Sequence, residues 1–315
     1  LARVRSINTR AGERPHWREV LTEFIDHKRI KDGISGQTIS DYERTVSLLM
    51  KRFPNAWDSD DDLKESVFAH LSEEIAPATF NNRLVYTRAF ISWCVETGYL
   101  SNNPLSGMKK RKTENRAVSI EVDVLSALLN APDQSTFVGL RDYTLILLTL
   151  DTGIRPSEAT RLIPQDFNAS AREMYVPSKV AKGRVARTLP LSDITVKSIR
   201  KLIAVRSEDW SEETPIFCSY EGRPLNRHTW GDRMEIYSNQ IGRHIRPYDL
   251  RHVFALEFLR NGANAFSAQK ALGHSTMEMT RKYIALVNND LKMEHQKASP
   301  LNTVLNSKVK RNTKI

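Results

Sequence analysis

Apolar residues recur at helical spacing through most of the chain, and the exceptions mark its joints. From about Trp17 to Tyr99 the periodicity predicts a helical region. Its last helix carries Phe80, Leu84, Ile91 and Val95 on one face. Asn81, Arg88, Ser92 and Glu96 form a polar stripe on the adjoining face. After a break come helical patterns near 119–131 and 139–151, then two segments with strand-like alternation, EMYVPSKV and VARTLPL. They flank AKGR, so a hairpin is expected with Lys182-Gly183 at its turn. Helical periodicity then returns and continues to about residue 297. Leu301, Val304 and Leu305 fit one more short amphipathic helix before a basic end. No internal repeat or low-complexity segment interrupts the pattern.

The break, YLSNNPLSGMKKRKTENR, is the best boundary signal. Asn103-Pro104 and Gly107 punctuate it, and Lys109, Lys110, Arg111, Lys112 and Arg116 put five cations within eight residues. The expected parts are a flexible basic segment at 1–13, a helical domain at 14–107 and a flexible basic linker at 108–117. A second domain at 118–298 and a tail at 299–315 follow. Five clustered cations suit phosphate contact, and the stripe through Asn81 and Arg88 is a second candidate nucleic-acid face. A solvated helix face would show the same pattern.

Composition narrows this further. A length of 315 residues suits about two domains. The longest apolar run, YTLILLTL at 143–150, is far short of the roughly 20 residues that span a bilayer, so no membrane partner is expected. The net charge of +10 points to a polyanion, most commonly nucleic acid, although a merely soluble basic protein could carry it. Cys94 and Cys218 lie far apart and outside any metal spacing, as expected of reduced, buried thiols in a cytosolic protein with no metal site. The chain opens LARVRSINTR with no apolar signal segment. Lacking an initial Met, it reads as a fragment or a trimmed chain.

Reactive side chains gather at four places. In DTGIRPSEATRL, Gly153 can end one helix and Pro156 open the next, which puts Arg155 at a helix N-terminus. An anion is favoured there, and an Arg155–Glu158 ion pair is the plainer reading. In RPYDLRHVFALEFLRNG, Asp249 is the expected N-cap and Gly262 the C′ residue of a helix of about twelve residues. Arg251 falls in its first turn. In KALGHSTMEMTRKYIAL, Ser275 and Glu278 fit a capping box, so a helix is expected from Ser275, with His274 just before it and Tyr283 inside. Lys182 on the hairpin turn is the fourth. Two arginines at helix mouths make a phosphate clamp, because each guanidinium is a planar fork of donors.

In this order the four resemble the tyrosine recombinase (phage integrase) family. The signatures are T-G-x-R-x-S-E around Arg155, K-G-x-x-x-R-x-x-P from Lys182 to Pro190, L-R-H-x-F-A around Arg251, and L-G-H with Tyr283 nine residues after His274. Residues 17–107, with their G-Y-L-x-x-N-P ending, resemble the family's helical core-binding domain. The resemblance implies a mainly α fold, with a helical core-binding domain and an α-rich catalytic domain holding a small antiparallel β-sheet. It implies a DNA strand transferase whose Tyr283 attacks a backbone phosphorus, forming a 3′-phosphotyrosine link and releasing a 5′-hydroxyl. That link conserves the phosphodiester energy, so no cofactor is implied, and no P-loop pattern occurs.

By the same resemblance Arg155 and Arg251 clamp the non-bridging oxygens, His274 adds a hydrogen bond, and Lys182 protonates the departing 5′ oxygen. Lys179 is a second candidate for that proton, and Glu158 orients Arg155. One position departs from the family, which has histidine where this chain has Tyr248. A phenol can donate a hydrogen bond to phosphate but shuttles protons poorly near pH 7. His252 belongs to the family pattern as a structural residue. It is not expected to stand in for the missing imidazole, because neighbouring helix positions point about 100° apart. The implied partners are double-stranded DNA with inverted-repeat core sites and three further copies of the chain, a homotetramer on two duplexes joined through C-terminal tails. Accessory DNA-bending or directionality proteins and a bacterial cytoplasmic or nucleoid setting complete the expectation. A type IB topoisomerase-like relaxing enzyme shares the nucleophile. A catalytically inactive DNA-binding regulator is favoured by Tyr248 alone.

Overall fold

Caps and breakers decide where the helices of this chain begin and end. The computed structural model describes residues 14–113, 119–287, 295, 299–302 and 304. The expected segment 1–13 lies outside the described residues. The chain divides into two units, Leu1–Glu114 and Asn115–Ile315.

The first unit holds α1 (Trp17–Asp32), α2 (Gly36–Arg52), α3 (Asp60–Ser72) and α4 (Pro77–Glu96). Ser35 and Ser59 cap α2 and α3 by accepting from the N–H groups of Thr38 and Asp62. Pro77 opens α4, where a missing N–H costs nothing. α4 packs on α1 and α2, and Phe24, Leu84, Phe90 and Ile91 are buried between them. The polar stripe of α4 is used inside this unit. Asn81 donates to the Arg111 carbonyl at 2.9 Å and accepts from the Arg111 N–H at 2.8 Å. Arg88 donates to the Met108 carbonyl, and Asn103 donates to Ser92 Oγ at 2.7 Å. The Arg111 guanidinium lies 3.8 Å over the Phe80 ring. Residues 103–111 are therefore docked along α4, while Lys109, Lys110, Arg111 and Lys112 stay exposed. Residues 114–117 of the expected linker lie outside the described residues.

His70, on α3, is 1% exposed and neither ring nitrogen has a hydrogen-bond partner among the described residues. Burial first, then the charges of Arg83 and Arg52, pull its pKa down to about 4. The unfolded imidazole takes a proton at a higher pH than the folded one, so stability is lost as pH falls from about 6.5 towards 4. His70→Leu should raise the urea midpoint, and by more at pH 5 than at pH 7.5. An equal change at the two pH values would contradict this.

The second unit runs α5 (Val122–Asn130), α6 (Phe137–Thr152), α7 (Pro156–Ala159), β1 (Phe167–Asn168), β2 (Glu173–Val176) and β3 (Arg187–Pro190). It continues with α8 (Asp193–Ala204), α9 (Arg227–Ile241), α10 (Pro247–Arg260), α11 (Ala265–Leu272) and α12 (Met277–Val287). α6 is the central helix, packed by α5, α8 and α10. Its buried Asp142 accepts from Arg141, Arg233 and the Tyr237 hydroxyl, so a charge at its N-terminal half is fully paired. The strands form one antiparallel sheet in the order β1-β2-β3, with Val176 opposite Arg187. Both cysteines are free and buried. No described helix is long and apolar enough to cross a membrane.

Three local expectations need correction. Lys182 and Gly183 do form a turn, closed by the Arg184 N–H donating to the Ala181 carbonyl at 3.0 Å, but it sits inside a longer connection and does not join the strands directly. Pro177 lacks the N–H to extend β2, and residues 177–186 form a loop that buries Val180 and Ala181. Asp249 is the third residue of α10, not its cap. Pro247 forces the preceding Arg246 into the extended region (φ −93°, ψ 155°), which starts the helix there, and Asp249 reaches back to accept from the Arg246 N–H at 2.9 Å. α10 consequently has 14 residues. α12 begins at Met277 rather than Ser275, because Gly273 (φ 60°) and the bend after it reverse the chain. Of the tail, residues 300–302 and 304 are helical, with Leu301 and Val304 exposed; Leu305 lies outside the described residues.

Candidate active site

The site is built around the end of α6. Gly153 adopts φ 64° and its N–H donates back to the Thr149 carbonyl, closing the helix. A Cβ here would stand 2.2 Å from Phe254 Cδ1 on α10. Gly153→Ala should therefore destabilise the protein by about 1–3 kcal/mol, through overpacking and a strained backbone together. An unchanged urea midpoint would refute this. The tight turn places Arg155 as the N-cap of α7, with Pro156 next, as expected. Arg155 is 8% exposed; Nη1 donates to Glu158 Oε1 at 3.1 Å and Nη2 to the Gly273 carbonyl at 3.0 Å.

Glu158 is the hub. Fully buried, it accepts from Arg155, from Arg187 Nη2 at 2.6 Å and from the Lys182 backbone N–H at 2.9 Å. Burial pushes its carboxyl up, but Arg187, the Lys182 N–H and Arg155 outweigh this and hold it below the usual carboxylate range. Arg187, on β3, also donates to the Ala271 carbonyl. Gly273 lets it approach, since a Cβ there would sit 3.1 Å from the guanidinium carbon. Arg187 is a site residue that sequence reasoning left without a role, although it occupies the R of K-G-x-x-x-R-x-x-P. The loop thus pins the Lys182 backbone to the cluster and leaves its side chain exposed.

Arg251 is fully buried. Nη1 donates to the Gly153 carbonyl at 2.5 Å, and Nη2 to the Leu272 carbonyl at 2.9 Å and His274 Nε2 at 3.0 Å. Because an arginine can only donate, Nε2 accepts, and the imidazole proton sits on Nδ1, 2.9 Å from Thr280 Oγ1. Burial first, then Arg251, Arg155 and Arg187, pull the His274 pKa down to about 4, so the ring is neutral near pH 7. Burial and the neighbouring Arg155 also lower Arg251.

Tyr283, on α12, packs its ring against His274, with centroids 6.4 Å apart and planes 11° from parallel. Burial pushes its hydroxyl up to about 12, against the opposing pull of Arg251. Its oxygen lies 2.7 Å from Nδ1 of His252. A purely structural His252 was expected. The crossing of α12 over α10 brings the phenol to the histidine, a contact that spacing along one helix cannot reveal. Tyr248 is 44% exposed at the rim, its ring edge-on to His252 at 5.0 Å. The structure therefore brings Arg155, Arg251, His274, Tyr283 and the Lys182 backbone together. Asn81, Arg88 and the basic run 109–112 belong to the other unit.

The phage integrase family matches residues 119–290, more than half of the chain. The chain belongs to the phage integrase family. Tyrosine recombinase XerC of Pelobacter propionicus is 27% identical over 292 residues, covering 90% of this chain and 95% of that protein. Tyrosine recombinase XerD of Lacticaseibacillus casei is 24% identical over 295 residues, with 89% and 98% covered. Among solved structures, the XerH site-specific recombinase bound to palindromic difH substrate has the same fold, at a TM-score of 0.67 and 19% identity over 90% of this chain and 84% of that one. The Tn1549 transposon integrase with a circular intermediate DNA gives 0.66 and 18%, covering 84% and 94%. This integrase-family protein is a tyrosine recombinase, an enzyme that cleaves and rejoins DNA strands in site-specific recombination. Its mainly α fold with one small antiparallel sheet is the expected one.

Proposed function

We propose that this recombinase cuts one DNA strand per protomer by attack of Tyr283 on a backbone phosphorus, at inverted-repeat sites. One observation carries the reading. Three guanidiniums, Arg155, Arg187 and Arg251, are buried around the single carboxylate of Glu158. Those four groups have an excess of two positive charges in a site that Tyr283 also lines, and a phosphodiester is the anion that fits them.

Arg155 and Arg251 hold the non-bridging oxygens as negative charge develops there. When phosphate draws Arg251 away from His274, the Thr280 hydroxyl donates to Nδ1 and frees Nε2–H to donate to the phosphate. Lys182 swings from its fixed backbone to protonate the departing 5′ oxygen, and Tyr248 donates a hydrogen bond from the rim. The exposed Lys109, Lys110, Arg111 and Lys112 contact phosphates, on a segment that Asn81 and Arg88 hold in shape. Two duplexes have four strands and each protomer carries one nucleophile, which favours a homotetramer on paired sites. The exchange serves integration, resolution or mobility of a genetic element.

A nicked duplex carrying the cognate site tests the chemistry, because the cut strand cannot be resealed. A covalent protein–DNA adduct should form with the wild-type chain and vanish in Tyr283→Phe. An adduct that persists in Tyr283→Phe would sink the assignment. Relaxation of supercoiled DNA without any specific site would point to a topoisomerase instead.

A further inference from the structure

A phenol this hard to ionise needs a base, and the family's imidazole position holds Tyr248, which cannot serve near neutral pH. The basic atom at the Tyr283 oxygen is Nδ1 of His252, 2.7 Å away. That distance is within the range a general base requires. We propose that His252 is the general base of strand cleavage, taking the Tyr283 proton as its oxygen bonds to phosphorus. The inference rests on the reading of Tyr283 as nucleophile.

The step balances. The phenol O–H bond breaks and its proton passes to Nδ1, while the oxygen pair forms the new bond to phosphorus. The bond from phosphorus to the 5′ oxygen breaks, and that oxygen takes its proton from Lys182. Transfer ahead of attack is unfavourable, since the hydroxyl is pushed up to about 12 by burial while the imidazole lies below its ordinary value. The proton therefore moves as the phenol becomes an ester, which makes it acidic only in the transition state. In rejoining, the imidazolium returns the proton to the departing phenolate. Burial is the largest influence lowering His252; Asp249 raises it and Arg251 lowers it. Tyr283 from α12 and Tyr248 from α10 face the ring, and His274 lies within electrostatic reach. His252 is thus neutral and ready to accept near pH 7. Tyr248, edge-on at 5.0 Å, holds the imidazole towards Tyr283.

Single-turnover cleavage of the nicked site, measured from pH 5.5 to 8.5 with the full chain, tests this. His252→Ala and His252→Gln should each cleave about a hundredfold slower or worse. The wild-type rate should fall at acid pH, with an inflection below about 6.5, and both variants should lose that limb. Added imidazole should restore His252→Ala. A substrate with sulfur at the 5′ bridging position, whose thiolate leaves without a proton, should leave the deficit in place. If His252→Ala folds poorly, His252→Gln carries the test, because its amide fills the space and accepts no proton. Wild-type rates and an intact acid limb in His252→Gln would overturn the proposal, as would rescue of either variant by the sulfur substrate. Those outcomes differ from failure of the nucleophile reading, which shows only as an adduct in Tyr283→Phe.

Discussion

Arg251→Lys should slow strand cleavage by about a hundred- to a thousandfold and leave DNA affinity nearly unchanged. The charge survives this change, so the electrostatic attraction to phosphate survives with it. What is lost is the fork. In the wild type one rigid plane meets the Gly153 carbonyl, the Leu272 carbonyl and His274 Nε2, three groups from two distant stretches of chain. An ammonium on a flexible stem cannot face all three and still present donors to two phosphate oxygens. At least one buried carbonyl would go unmet, at about 1–3 kcal/mol of stability. Single-turnover cleavage at saturating protein, with a urea titration beside it, separates the two effects. A cleavage rate within threefold of wild type would show that charge alone suffices.

Glu158→Ala should be the most destabilising single change in the site, by about 3–5 kcal/mol. Fully buried, it neutralises Arg155 and Arg187 and holds the Lys182 loop by its backbone. Without it, buried guanidiniums face one another. Glu158→Gln keeps the shape and should cost less. It should also remove an acid sensitivity whose sign follows from the lowered carboxyl. The unfolded carboxyl binds its proton at a higher pH than the folded one, so this stabilisation is full above the ordinary value of 4.5 and lost as pH falls through the folded value. Urea midpoints between pH 3.5 and 7 measure the slope. Equal midpoints for wild type and Glu158→Ala at pH 7 would refute the hub.

Local signals along the chain were readable where the cause was local. Gly153 and Pro156 mark the turn that displays Arg155, and both act there as their chemistry demands. The same proximity misled at Asp249, where a good capping residue lies two places past a proline that had already set the start of the helix. Periodicity showed that α4 has a polar stripe through Asn81 and Arg88. It could not show what covers that stripe, since the cover is a segment 20 to 30 residues away. Arg187 and His252 were invisible as partners for the same reason: Glu158 lies 29 residues from the first and Tyr283 31 from the second. Both stood inside quoted motifs, yet their roles come from how β3 meets α7 and how α12 crosses α10.

The neighbouring positions of Arg251 and His252 on α10 separate holding from cutting. Arg251 is tied to the turn after α6 and to the end of α11, so its grip does not depend on where α12 ends. His252 has work only when Tyr283 arrives, and α12 is pinned near its start, where Thr280 meets His274. Swinging the far end of α12 about that pin would withdraw the phenol from its base with the arginine fork still closed. The geometry of cutting thus depends on where one helix lies, and that of holding on the ends of two others.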